Sequence, residues 1–344
     1  MNKRTSTSIL ALTIALAALI LVNSRAEERV AAHPAASYTL ASLPASDAVI
    51  YVDAQRLLTD SIPGVLVNSP KLLAHVNEEL DRFKERTNID LRSFDSVAIG
   101  LRFNPPSKGQ ELRVVILAQG RFDASTVLDA VLARAKRDGL QPQERTVDGR
   151  TLYVLSPRKQ DAEQTEATTD KQEAPHGHDM AFAVVDANTF ACGDFESVRA
   201  ALDISTERAS DELVQLATRT PGAVVGFSGN VPSFFTEQLA KDKETIAKNF
   251  AAVRQFYGFV TTTASDAETS ITLRAETPDQ AREISKAVNA LKTLASFAPK
   301  KPSMGDMRPL PELIKALTVT NEGNEVFLNL KLTQAEIASL VRNF

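Results

Sequence analysis

Tryptophan is absent from this chain of 344 residues, cysteine occurs once, and histidine and tyrosine occur four times each. Each scarcity removes a class of chemistry. The single Cys192 excludes an intramolecular disulfide and a cysteine-based structural zinc site. Of the four histidines, His33, His176 and His178 lie in stretches of tether-like or linker-like composition, so a Ser-His-Asp triad would depend on His75. Without Trp, a sugar-stacking cleft is disfavoured, although a pair of carboxylates is left open. Glycine-rich signals are missing too. The chain has no G-x-x-x-x-G-K-[ST], no G-x-G-x-x-G and no G-x-S-x-G, which removes the common phosphate cradles and the nucleophile elbow. Excess positive charge is lacking as well. The net charge of −4 provides no electrostatic footprint for nucleic acid.

Long apolar runs are lacking except at the start. Lys3 and Arg4 precede Ser8–Val22 (SILALTIALAALILV), and Ser24-Arg25-Ala26 places small residues at the −3 and −1 positions of a cut. This is the anatomy of a secretory signal peptide over residues 1–26, and the run falls short of the about 20 residues that span a bilayer. Loss of Lys3, Arg4 and Arg25 with this leader takes the net charge from −4 to −7. The expected location is extracytoplasmic, in the periplasm or secreted. The alternative is an inner-membrane anchor formed by residues 8–22, and only then would the membrane be a partner.

The remaining composition, 43% hydrophobic and 24% charged, is that of a globular protein, with sixteen Phe supplying most of the aromatic core. Residues 27–42 are Ala-rich and read as a flexible tether. Residues 156–179 contain no aliphatic side chain larger than alanine and read as a disordered insertion, since little buried surface offsets the ordering entropy. Alternation and Val/Ile/Tyr content predict a strand over Ala48–Asp53, and apolar residues at helical spacing predict a helix over Lys71–Arg86. Asp148-Gly149 predicts a two-residue hairpin turn, and Asp123 caps the helix that follows it. Further helices are predicted over Asp211–Thr218, Lys241–Val253 and Gln334–Val341.

A strand–hairpin–strand–helix pattern occurs twice, from Phe94 to Lys136 and from Phe256 to Ala295. Val115, Leu117, Leu128 and Leu132 align with Ile271, Leu273, Ile284 and Val288 at a constant offset of 156. The pattern predicts an α+β fold of two related halves produced by internal duplication. Each half is expected to carry a mainly antiparallel sheet with helices on one face. The predicted domains are 43–220, containing the insertion, and 221–344. The cleft between them is the expected binding place, because ligand sites favour domain interfaces.

Two local patterns carry metal-ligating residues. His75 and Glu79 stand four apart on a predicted helix and so share a face, one residue away from the H-x-x-E-H signature. His176-Gly177-His178-Asp179 places two imidazoles and a carboxylate close together, inside the insertion. Both read more simply as solvated polar surface, so no catalytic, cofactor or metal residue is assigned and no cofactor is expected.

Leu43, Pro44 and Asp47 before the first strand, and Gly193, Val198, Arg199, Ala201, Leu202 and Asp203 further on, resemble a loose class of uncharacterised exported bacterial proteins. The resemblance spans residues 43–203. It implies an extracytoplasmic α+β protein and carries no catalytic residue. The expected function is an exported, non-enzymatic binding module whose partner is a protein or small ligand of the cell envelope. The alternatives are an envelope hydrolase with a metal or carboxylate site near His75 and Glu79, and a membrane-anchored structural protein.

Overall fold

A computed structural model describes residues 34–104, 112–156, 179–241, 249–263, 266–297, 314 and 316–341. In chain order the elements are α1 (Pro34–Ala41), β1 (Ala48–Asp53), a helical stretch 54–65 with one π-turn, α2 (Pro70–Thr87), β2 (Phe94–Phe103), β3 (Leu112–Gly120) and α3 (Ala124–Arg137). Then come β4 (Gln143–Val147), β5 (Arg150–Leu155), β6 (Met180–Asp186), β7 (Thr189–Asp194), α4 (Phe195–Leu202), α5 (Asp211–Ala217), β8 (Val225–Asn230) and α6 (Ser233–Lys241). The chain continues with β9 (Val253–Thr262), β10 (Asp266–Ala275), α7 (Pro278–Phe297), β11 (Thr318–Glu322), β12 (Glu325–Thr333) and α8 (Gln334–Val341).

All of these strands form one 12-stranded antiparallel sheet, ordered β11-β12-β10-β9-β8-β1-β2-β3-β7-β6-β5-β4. This corrects the expectation of two halves with separate sheets. β1 pairs with β8 from Ala48↔Gly229 to Val52↔Val225, so the ladder runs through the place where the halves were expected to part. The physical reason is the edge. Two separate sheets would each leave the backbone groups of β1 or β8 unpaired, and joining them removes both edges. The expected inter-half cleft is therefore occupied by hydrogen-bonded strands.

The helices also lie on both faces of the sheet and not on one. On the front face, α1, α4 and α5 cover Val49 and Tyr51 of β1, Val115 and Leu117 of β3, and Leu152 and Val154 of β5. On the back face, the stretch 54–65 and α8 pack Leu57, Ile62, Val65 and Ile337 against Val52, Val225, Val260 and Leu332. This back cluster draws on β1 and β8 alike, so one core crosses the seam. α7 sets Ile284 and Val288 on Val253 and Val326, while α3 sets Val127 and Leu128 on Phe190.

The aligned repeat positions diverge in role. Leu117 pairs with Ala98 on the front face, and both belong to the front core. Leu273 packs beneath α7 on the back face. Side chains alternate along a strand, so a slip of one residue exchanges the faces, and the constant offset conceals such a slip.

One local expectation is also corrected. The tether assigned to 27–42 contains α1, in which Thr39 and Leu40 are buried. Leu40 joins the front core, and the Thr39 hydroxyl donates to Gln119 Oε1 at 2.9 Å, contacts that sequence proximity does not reveal. Most of the helix expected over 241–253 lies outside the described residues; Lys241 ends α6, residues 249–250 are helical, and β9 begins at Val253. Elsewhere the local chemistry acts as expected. Asp148 and Gly149 both have positive φ, 50° and 76°, as a primed hairpin turn requires. The Asp123 carboxylate accepts from the Ser125 amide at the start of α3.

Candidate functional site

α5 is held close against β8. Ser228 is fully buried and its hydroxyl donates to the Leu213 carbonyl at 2.6 Å. Two residues earlier, Gly226 leaves the Ala217 carbonyl only enough room for a hydrogen, since a Cβ would stand 1.8 Å from that oxygen. This docking brings the first turn of α5, with Glu212, and Arg219, two residues past its end, over the front face of β9.

The front face changes character beyond that point. Where β3, β5 and β7 present Val and Leu or Ala to helices, β10 presents Glu268, Ser270, Thr272 and Arg274, and β12 presents Glu325, Phe327, Asn329 and Lys331. The densest polar contacts centre on Arg274. Its Nε donates to Glu325 Oε1 at 2.9 Å, and its Nη1 donates to Gln255 Oε1 and lies 3.5 Å from Glu212 Oε1. Gln255 Nε2 donates to Glu212 at 3.2 Å and to Asn230 Oδ1 at 3.0 Å. The Tyr257 hydroxyl donates to Glu325 at 3.0 Å and accepts from Arg219 Nη1 at 2.8 Å. Both guanidiniums also stand 5.4 Å from the Tyr257 ring, one from the segment that follows α5 and one from β10, within cation–π range. Burial disfavours the Arg274 charge, but the Glu325 carboxylate more than offsets it, with help from Tyr257, and its pKa rises.

Register places these residues in a longer alignment. Asn230↔Gln255, Gln255↔Arg274, Arg274↔Glu325 and Glu322↔Glu325 are successive cross-strand pairs. In the other direction the Asn230 amide donates to the Asp47 carbonyl at 2.7 Å, and the Asp47 amide donates to Leu101 beside Arg102. Arg102 in turn pairs with Arg113. Arg113, Arg102, Asp47, Asn230, Gln255, Arg274, Glu325 and Glu322 thus form one polar row across the end of the sheet, on its front face. Arg102, Asn230 and Glu322 are exposed along it, whereas Gln255 is buried.

Such an arrangement presents fixed charge. In the Arg274 cluster the donors and acceptors are engaged with one another, so the arrangement can bind and orient but offers no activated nucleophile. Replacing Tyr257 by phenylalanine removes one hydroxyl shared by a guanidinium and a carboxylate. Urea denaturation should register a loss of about 1.5 kcal/mol, the usual worth of a bond to a charged group. A loss below about 0.5 kcal/mol would show that the cluster does not hold α5 to the sheet.

The residues singled out in the sequence lie elsewhere. His75 is exposed on α2, on the back side, with Glu79 one turn away and bonded to Arg82. Among the described residues no group of three or more His, Cys, Asp or Glu is arranged to hold a metal ion. His176 and His178 lie outside the described residues. Cys192 packs beneath α3, and burial pushes its thiol up to about 12, which keeps it protonated. A surface depression of about 420 Å³ at the start of α7 is lined by Asn249, Ala252, Asp279, Gln280, Arg282 and Glu283, away from the polar row.

No family model matches the chain, and no curated protein matches it. Among solved structures it is similar to crystal form I of TP0453, at 10% identity and a TM-score of 0.41, covering 89% of this chain and 97% of that one. Crystal form III of TP0453 gives 10% identity and a TM-score of 0.43, covering 89% and 98%. Overlap at this level carries no functional argument. No described helix is long and apolar enough to cross a membrane.

Proposed function

We propose that the protein is an exported, non-enzymatic binding module that takes its ligand on the polar row at the front end of the sheet. The leader anatomy of residues 1–26 supports export. The observation that carries the binding assignment is the row itself. Charged and amide side chains from strand after strand are brought to one line, beside a front face that is mainly apolar where α1, α4 and α5 cover it. Holding such side chains in order restricts their rotamers, and a pre-ordered polar surface binds with less entropy left to lose.

The test uses a photoreactive residue placed at Glu322 or Asn230 in the full chain, in its native envelope. Adducts are expected at both positions, and none from the same residue at Asp129 on the outer side of α3. Equal labelling at all three positions, or none at the row, overturns the assignment. Intact mass reports the export step. A mature species beginning at residue 27 is expected, and an uncleaved chain would favour the anchored alternative.

A further inference from the structure

The two ends of the polar row differ in charge balance. At the β10 end, Arg274 has Glu325 and Glu212 as ion partners. At the β3 end, Arg102 and Arg113 are direct cross-strand partners on the same front face. Directly opposed side chains have Cβ atoms about 5 Å apart, and like charges in that relation destabilise a sheet. Among the described residues neither guanidinium takes part in an ion pair or hydrogen bond, and the Nε of Arg113 is buried without a partner. Asp47, the nearest carboxylate in the row, has one oxygen engaged by the Phe103 amide at 2.8 Å.

We propose that Arg102 and Arg113 together bind the phosphate-like oxyanion group of the ligand. This rests on the reading of the row as the ligand surface. Guanidinium is planar, permanently charged and presents parallel N–H donors, which match the oxygens of an oxyanion. A planar carboxylate pairs bidentately with one guanidinium. A tetrahedral group directs oxygens to two sides and bridges both. Binding would neutralise the repulsion across the β2–β3 ladder, a cost that the unliganded sheet carries.

The experiment follows the arginine Nε–Hε resonances of the full mature chain during titration with inorganic phosphate, with acetate and chloride at matched ionic strength as comparisons. Phosphate should shift the Arg102 and Arg113 signals saturably and leave Arg274 in place. Arg102→Gln, at an exposed position, should weaken phosphate binding about tenfold, the scale of one lost charge-assisted contact. Arg102→Lys, which keeps the charge but loses the planar fork, should fall between the two. Arg113→Gln should remove saturation, and an unchanged far-ultraviolet spectrum would show that the fold is kept. Equal shifts with chloride, or wild-type affinity in Arg102→Gln, overturn the proposal. Adducts at Glu322 and Asn230 without phosphate-dependent shifts would sink the oxyanion assignment alone. Saturable phosphate binding without adducts would sink the wider row reading and leave this one.

Discussion

Gly226→Ala should lower the stability of the protein by about 3 kcal/mol, at the upper end of the usual cost of overpacking. The new methyl carbon would be placed 1.8 Å from the Ala217 carbonyl oxygen, about half an ordinary contact distance. That oxygen belongs to backbone and cannot turn aside, so α5 must withdraw from β8. Withdrawal opens space beneath Leu213, Val214 and Ala217, all buried in the front core, and adds a cavity cost to the clash. It also stretches the Ser228–Leu213 hydrogen bond. Because α5 positions Glu212 and leads into Arg219, the Tyr257 cluster should loosen in the same variant. Urea denaturation measures the first effect, and hydrogen exchange at β9 the second. A cost below about 1 kcal/mol would mean that α5 is not held at the distance described.

Phe227→Pro should cost more, about 4 kcal/mol or outright loss of folding. β8 is flanked on both sides, with Phe227 opposite Ile50 of β1 and Gly258 of β9. Proline removes a ladder donor and its ring clashes in a central strand, which explains its confinement to edges. The informative part is where the damage spreads. If the β1–β8 ladder and the back core of Val52, Val225, Val260 and Leu332 make one cooperative body, amide protection in β5 and in β10 should fall together. Retention of full protection in β5 while β10 opens would show two independently stable arms and would contradict the single-sheet account.

Much of the local structure was legible from residues alone. The alternation in AVIYVD gave β1 its observed bounds, the Asp148-Gly149 turn formed where its chemistry demands, and α8 begins and ends where the periodicity put it. These features depend on neighbours in sequence. α1 did not show itself, because its stability comes from Leu40 meeting the front core and Thr39 meeting Gln119. The single sheet was hidden for a related reason. The pairing of β1 with β8 is a choice between two edges far apart in the chain, and alternation says that each is a strand without saying which strand it joins. The face exchange between Leu117 and Leu273 likewise depends on register, which an alignment of apolar positions does not contain.

The polar row was the least legible part. Arg113, Asn230, Gln255, Arg274 and Glu325 each read as an ordinary polar residue near the end of a strand. No spacing links them, because the order that makes them neighbours is the order of strands in the sheet. The one available signal was positional: in strand after strand the apolar stretch is flanked at the same end by a charged or amide residue. The histidine patterns drew attention by local density, and His75 with Glu79 turned out to be a pair on α2 away from the row.

The joining of β1 to β8 has a consequence for solubility. Two sheets would expose four edges, whereas among the described residues this one ends only at β4 and β11. Both are short, Gln143–Val147 and Thr318–Glu322, mostly exposed, and carry Glu144, Arg145 and Glu322. Short charged edges are poor templates for another strand. At high local concentration the chain therefore offers its neighbours little open backbone to extend along these edges, and contacts there are left to side chains.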